Sequence, residues 1–154
     1  MTHYPILFSR RDVVKARDYT AGVIVAGRIL VTEEDGEFWA EGVNPGGMAA
    51  EGDSTETALC ALCDSYHKVL LDIAEDAPSF ESFKKAVERF FADTNMTALK
   101  EWEEAVLQVR AGKLTLDSMG KRPSESPIGI RVLPLDKGNA RQEEEEVSDA
   151  AMAA

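Results

Sequence analysis

Ile29-Leu30-Val31-Thr32-Glu33-Glu34-Asp35-Gly36-Glu37-Phe38-Trp39-Ala40-Glu41 is the stretch on which the fold class turns. At its centre, Glu33 to Gly36 forms a turn signal with glycine where positive φ carries no steric cost. On either side lie Val23–Thr32, rich in β-branched and aliphatic residues, and Glu37–Val43, in which apolar and polar residues alternate. The pattern predicts a hairpin. A period of two sends Phe38, Ala40 and Gly42 to one face and Glu37, Trp39 and Glu41 to the other, so one face can pack while the other keeps its carboxylates in water. Asn44-Pro45-Gly46-Gly47 predicts the next turn, and Met48 to Glu51 a short third strand.

Gly52-Asp53-Ser54-Thr55-Glu56 opens the first helix, with Asp53 and Glu56 at capping-box spacing and a start at Ser54 as the alternative register. Leu59, Leu62, Cys63, Tyr66, Val69, Leu70 and Ile73 recur at three- and four-residue intervals through Asp76, a stripe that has to cover the sheet. A second helix is expected after Pro78-Ser79, with Phe80, Phe83, Val87, Phe90 and Phe91 on its apolar side. A third is expected from about Thr97 to Ala111, with Leu99, Trp102, Val106 and Val109 inward and Gly112 as its stop. Residues 113–127 read as a loop, and Ile128–Leu135, bracketed by Pro127 and Pro134, as an edge strand. The expected fold class is α+β: a small antiparallel sheet of three to four strands packed against a helix, with additional C-terminal helices. Residues 21–135 make up that domain. They follow an extension, 1–20, to which no fold is assigned, and precede an acidic, solvated tail, 136–154, containing Glu143 to Glu146.

The chain has 154 residues, 44% hydrophobic and 29% charged, which is ordinary globular composition, so disorder throughout is excluded. Its 17 Lys+Arg stand against 28 Asp+Glu, a net charge of -11, which repels phosphate backbones and anionic lipid surfaces. Neither a nucleic acid nor a membrane is therefore expected as partner. No apolar run approaches the roughly 20 residues that span a bilayer, and Met1-Thr2-His3-Tyr4-Pro5 is not a basic region leading into an apolar signal core; a cytoplasmic location is expected.

Few residues suggest chemistry. Cys60 and Cys63 have the spacing of half a zinc site or of a redox dithiol, with His67 four residues on. A closed zinc site needs more ligands than these, and a dithiol normally sits at a helix start, so they read as small packing residues beside the helix seam. Cys63 and His67 are the only nucleophile and base the sequence nominates, but nothing in it identifies a group to orient the imidazole. Glu33, Glu34 and Asp35 lack the ligand alternation of a calcium loop, and Asn44 to Gly47 lack the Lys and Ser/Thr of a phosphate loop. Arg10, Arg11, Lys15 and Arg17 form a small basic cluster interrupted by Asp12 and Asp18. No metal, no cofactor and no enzymatic activity is expected.

The hairpin, then Pro45-Gly46-Gly47, then Ala50-Glu51-Gly52-Asp53-Ser54-Thr55-Glu56-Thr57-Ala58-Leu59, together resemble the HicB-like antitoxin domain: strand, acidic-glycine turn, strand with an aromatic, Pro-Gly turn, and Gly-Asp-Ser/Thr leading into a helix. The resemblance implies a partial ribonuclease-H-like arrangement without nuclease activity. It also implies a protein partner, a small basic toxin of the HicA type that cleaves messenger RNA. By that analogy Glu37, Trp39 and Glu41 are contact candidates, with Glu33, Glu34 and Asp35 near the rim. Residues 96–154 show neither a helix-turn-helix nor a ribbon-helix-helix pattern, so repression of its own operon is not expected. An acidic decoy or adaptor that inhibits a nucleic-acid-binding protein by imitating phosphate charge is the alternative function. Open sheet edges and the aromatics Trp39, Phe90, Phe91 and Trp102 suggest a homo-oligomer.

Overall fold

The structure, a computed structural model, describes residues 1–112 and 128–135; the expected loop at 113–127 and the acidic tail from 136 lie outside the described residues. The elements follow the order β1 (Thr2–Lys15), β2 (Thr20–Glu34), β3 (Glu37–Asn44), β4 (Ala49–Gly52), α1 (Thr55–Asp76), α2 (Phe80–Ala92), α3 (Met96–Arg110) and β5 (Gly129–Leu135). All strand pairs are antiparallel, in the order β1-β2-β3-β4, with β5 also on β2. β2 is the spine. Along one edge it pairs with β1 throughout; along the other it pairs with β3 over Arg28–Glu34 and with β5 over Thr20–Ala26.

The α+β class stands as expected, with five strands rather than three or four. The additional strand is β1, 14 residues long, formed by most of the segment that reads in sequence as an extension. Opposite β2, Tyr4, Ile6, Phe8 and Val14 of β1 face Val31, Ile29, Gly27 and Ala21, so its even-numbered residues share the sheet face that packs on α1 and α2. Arg10 and Asp12 interrupt this apolar alternation, which is why period-two patterning is hard to see there. The same register sends Arg11 and Lys15 to the opposite face from Arg10, so the basic cluster of the sequence is divided by the sheet.

β2 shows how both faces are filled. Ala21, Val23, Val25, Ile29 and Val31 enter the clusters under α1 and α2, whereas Leu30 enters a separate cluster with Val43, Ala98, Trp102 and Val106 under α3. Helices therefore lie on both faces, and β2 reads as a nearly continuous apolar run because both of its faces are covered over part of its length. Asp35 and Gly36 have φ of 54° and 79°, the two-residue turn that matches strand twist. Where β3 leaves β2, Ile29 pairs with Gly42 and Arg28 with Asn44, which leaves Val43 as a bulge residue. That bulge puts Val43 against α3 and lets Asn44 accept from Arg28 Nη1 at 3.0 Å.

α1 starts in the alternative register. Ser54 is the N-cap, its hydroxyl accepts from the Thr57 amide, and the Thr57 hydroxyl accepts from the Ser54 amide, so the capping box is Ser54/Thr57 and not Asp53/Glu56. Glu56, in the first turn, remains favourable to the helix dipole. The innermost line is Ala58, Leu62, Tyr66, Leu70 and Ala74; Leu59, Cys63, Val69 and Ile73 flank it half-buried. Two alanines at the ends of this line bring the helix close to the sheet. α2 begins at the Ser79 cap as expected and buries Phe83 and Val87, with Phe80, Phe90 and Phe91 packed beside them. α3 buries Trp102, whose Nε1 donates to the Ile6 carbonyl at 3.3 Å. No helix among the described residues is long and apolar enough to cross a membrane.

Candidate functional site

The strand register gathers a set of acids around one aromatic. On the face opposite α1, Trp39 stands between Thr32 of β2 and Glu51 of β4, Glu41 stands between Leu30 and Ala49, and Glu37 lies directly across from Glu34. Glu34, Glu37 and Glu51 are exposed, and Trp39 and Glu41 half-buried. Like charges directly opposite on a sheet are unfavourable, and among the described residues no ion pair neutralises any of these four carboxylates. The corner is therefore a concentrated negative field around a large, partly exposed ring. α3 passes it on the β1 side, where Glu101, Glu104 and Gln108 line a depression with Thr2 and His3, and the buried cluster under the helix holds Leu30 and Val43 but not Trp39.

Of the six candidates read from sequence, Glu34, Glu37, Trp39 and Glu41 share this face. Asp35 sits in the turn. Glu33 points to the opposite face, where the Tyr4 hydroxyl donates to its Oε2 at 2.8 Å; that bond, with burial, holds the Tyr4 phenol above its usual pKa. Glu51 was missed in sequence. It belongs to the corner because β4 pairs with β3 in a register that places it across from Trp39, and a four-residue strand gives little periodicity from which to read a face. Phe90, Phe91 and Trp102, read in sequence as surplus aromatics, belong to the packed clusters, Phe90 and Phe91 half-buried at the edge of theirs, which leaves Trp39 as the half-buried member of that set outside any cluster.

A second polar cluster lies on the α1 face. Asp12, whose side chain is 4% exposed, accepts from Arg10 Nη2 at 3.1 Å, from Arg10 Nε at 3.4 Å and from His67 Nδ1 at 2.8 Å. The imidazole is thus oriented, by a carboxylate that comes from the segment without an assigned fold; the expectation that nothing orients it is corrected. Burial alone would lower the Arg10 pKa, but its bonds to Asp12 outweigh this, and the net shift is upward. Among the described residues no group of His, Cys, Asp and Glu is arranged to hold a metal ion.

Beside this cluster the Tyr66 hydroxyl is buried without a hydrogen-bond partner, its ring edge-on to Phe8 and stacked with Phe90. Burial, then the charge of Asp12, pushes the phenol well above its ordinary value of 10.0. A raised folded-state pKa contributes stability that is present below the unfolded value and is lost as pH rises past it. Tyr66→Phe is accordingly expected to leave neutral-pH stability unchanged or to raise it by up to about 1 kcal/mol, since an unsatisfied hydroxyl is removed. It should also flatten the fall in stability above about pH 10. Urea titrations at neutral and alkaline pH measure both.

The fold and this corner define an α+β protein with an acidic, aromatic-centred sheet face. Compared with family models, with curated proteins and with solved structures, the chain matches none.

Proposed function

We propose that the chain is a non-enzymatic binding protein of the HicB-like type that neutralises a basic protein partner, such as a HicA-type messenger RNA nuclease, through the corner around Trp39. The observation that carries this reading is the convergence of Glu34, Glu37, Glu41 and Glu51 on one half-buried tryptophan. Complementary charge speeds encounter and fixes register, while a partly buried aromatic supplies the anchor that becomes fully desolvated on binding. The order of hairpin, Pro-Gly turn and capped helix agrees with the same family.

Co-expression with a candidate basic toxin is expected to restore growth, and a tagged chain to retain that toxin. Trp39→Ala should weaken the complex by about 2 kcal/mol, roughly thirty-fold. Glu37→Lys with Glu41→Lys should chiefly slow association and reduce its salt dependence. Absence of both rescue and complex, or a complex indifferent to Trp39, would remove the reading.

A further inference from the structure

Among the described residues, the face that carries Trp39 is covered by α3 over only part of its length. Under α3, Leu30, Val43 and Leu7 meet Ala98, Trp102 and Val106. Beyond Arg28 the register brings Val13 of β1, Ile24 of β2 and Leu133 of β5 onto the same face, and none of the three belongs to a core cluster. They are half-buried, while Arg11, Lys15 and Arg131 around them are exposed, with Arg11 and Arg131 flanking Ile24 in a single row. Gly22 contributes no side chain to this surface, and a depression of about 340 Å³ lies over it between Val13 and Leu135. Thr20 and Leu135 at the far end of this half are buried, so among the described residues the uncovered part is the apolar centre of Val13, Ile24 and Leu133 with its basic rim, a surface incomplete by itself.

α3 carries the complementary feature. Met96 and Leu107 are 68% and 63% exposed, the most exposed large apolar side chains of the described residues after Met1. They are about three turns apart and so lie along one line, with Glu103 between them and Glu104 adjacent. We propose that these two surfaces are partners across a twofold axis: in a homodimer, α3 of each copy lies on the open sheet half of the other. Dimensions agree. A helix the length of α3 spans about 22 Å, and the seven-residue β2–β5 ladder about 23 Å. The axes of β1 and β5 lie roughly 10 Å apart across β2, room for one helix. Charge agrees as well, since Glu103 and Glu104 would face Arg11, Lys15 and Arg131. An axis perpendicular to the strands, at the border of the covered and open halves, satisfies both contacts at once, as a self-complementary interface requires. Trp39 belongs to neither of these two surfaces, and the inference does not rest on the function proposed above.

Light scattering on the eluting full-length chain is expected to give twice the chain mass, and Leu107→Glu, at a site exposed in the single chain, to give the monomer with unchanged circular dichroism. In a Cys60→Ser, Cys63→Ser background, chains carrying Ile24→Cys mixed with chains carrying Leu107→Cys should form an intermolecular disulfide, whereas Ile24→Cys chains alone should not. A monomeric wild-type chain overturns the proposal, whether the open half is then covered by residues 113–127, by the tail or by a foreign protein. So does a dimer that survives Leu107→Glu or that links Ile24→Cys to itself.

Discussion

Asp12→Ala is expected to lower the free energy of unfolding by about 3 kcal/mol, the lower end of what breaking a buried ion pair costs. Three donors converge on this carboxylate, two from Arg10 and one from His67. Removing it leaves the guanidinium beneath α1 with no opposite charge. The loss stays at the lower end because the Arg10 and His67 side chains are 30% and 40% exposed, so water can reach both. Asp12→Asn retains an acceptor oxygen and should lose less. The most informative variant is the double change Arg10→Leu, Asp12→Val: replacing both partners by apolar groups should recover most of the stability, because the cost lies in leaving one charge unpaired. Urea midpoints at constant slope measure the series. A double variant as unstable as Asp12→Ala would mean that the cluster's packing, and not its charge, holds β1 to α1.

Gly27→Ala is expected to cost a similar amount, about 3 kcal/mol, for a steric reason. A Cβ at this position would overlap the carbonyl oxygen of Asn44 and meet the Phe8 ring. The ring can rotate, but the carbonyl cannot move alone. Asn44 is buried, accepts from Arg28 and donates through Nδ2 to Thr94 at 2.8 Å, while the Asn95 amide donates to the Val43 carbonyl beside it. A shift of the Asn44 backbone would therefore loosen the loop that joins α2 to α3. Gly129→Ala, where an added Cβ meets nothing, is the control and should change stability by less than about 0.5 kcal/mol. Equal losses at the two positions would refute the steric account.

Both variants touch β1, the element least visible in the sequence. The β2–β3 hairpin was legible because its cues are local: a turn closed by Gly36, β-branched residues before it and alternation after it. The helices were legible for the same reason, apart from the exact cap, where Asp53 and Ser54 each have suitable side chains and Ser54 takes the role with Thr57. β1 is different. Its pairing with β2 reaches from the Thr2–Glu33 pair to Lys15–Thr20, and its alternation is broken by the Arg10–Asp12 pair, whose burial makes sense only once His67 stands opposite.

The candidate face divides along the same line. Alternation within β3 was enough to place Glu37, Trp39 and Glu41 together. Whether Glu33 joined them, whether Glu51 did, and whether α3 left them uncovered depended on strand register and on which helix went to which face.

The antiparallel hairpin and the amphipathic helices that follow it can thus be read from residues within a few positions of one another, and the negative charge of the whole from composition alone. Strand register and helix placement settle that β1 completes the sheet, that Asp12 orients His67, that Glu51 stands beside Trp39 and that, among the described residues, part of one sheet face is left open. These are contacts between segments far apart in the chain, and the entropy of closing such loops leaves no local imprint from which they can be read.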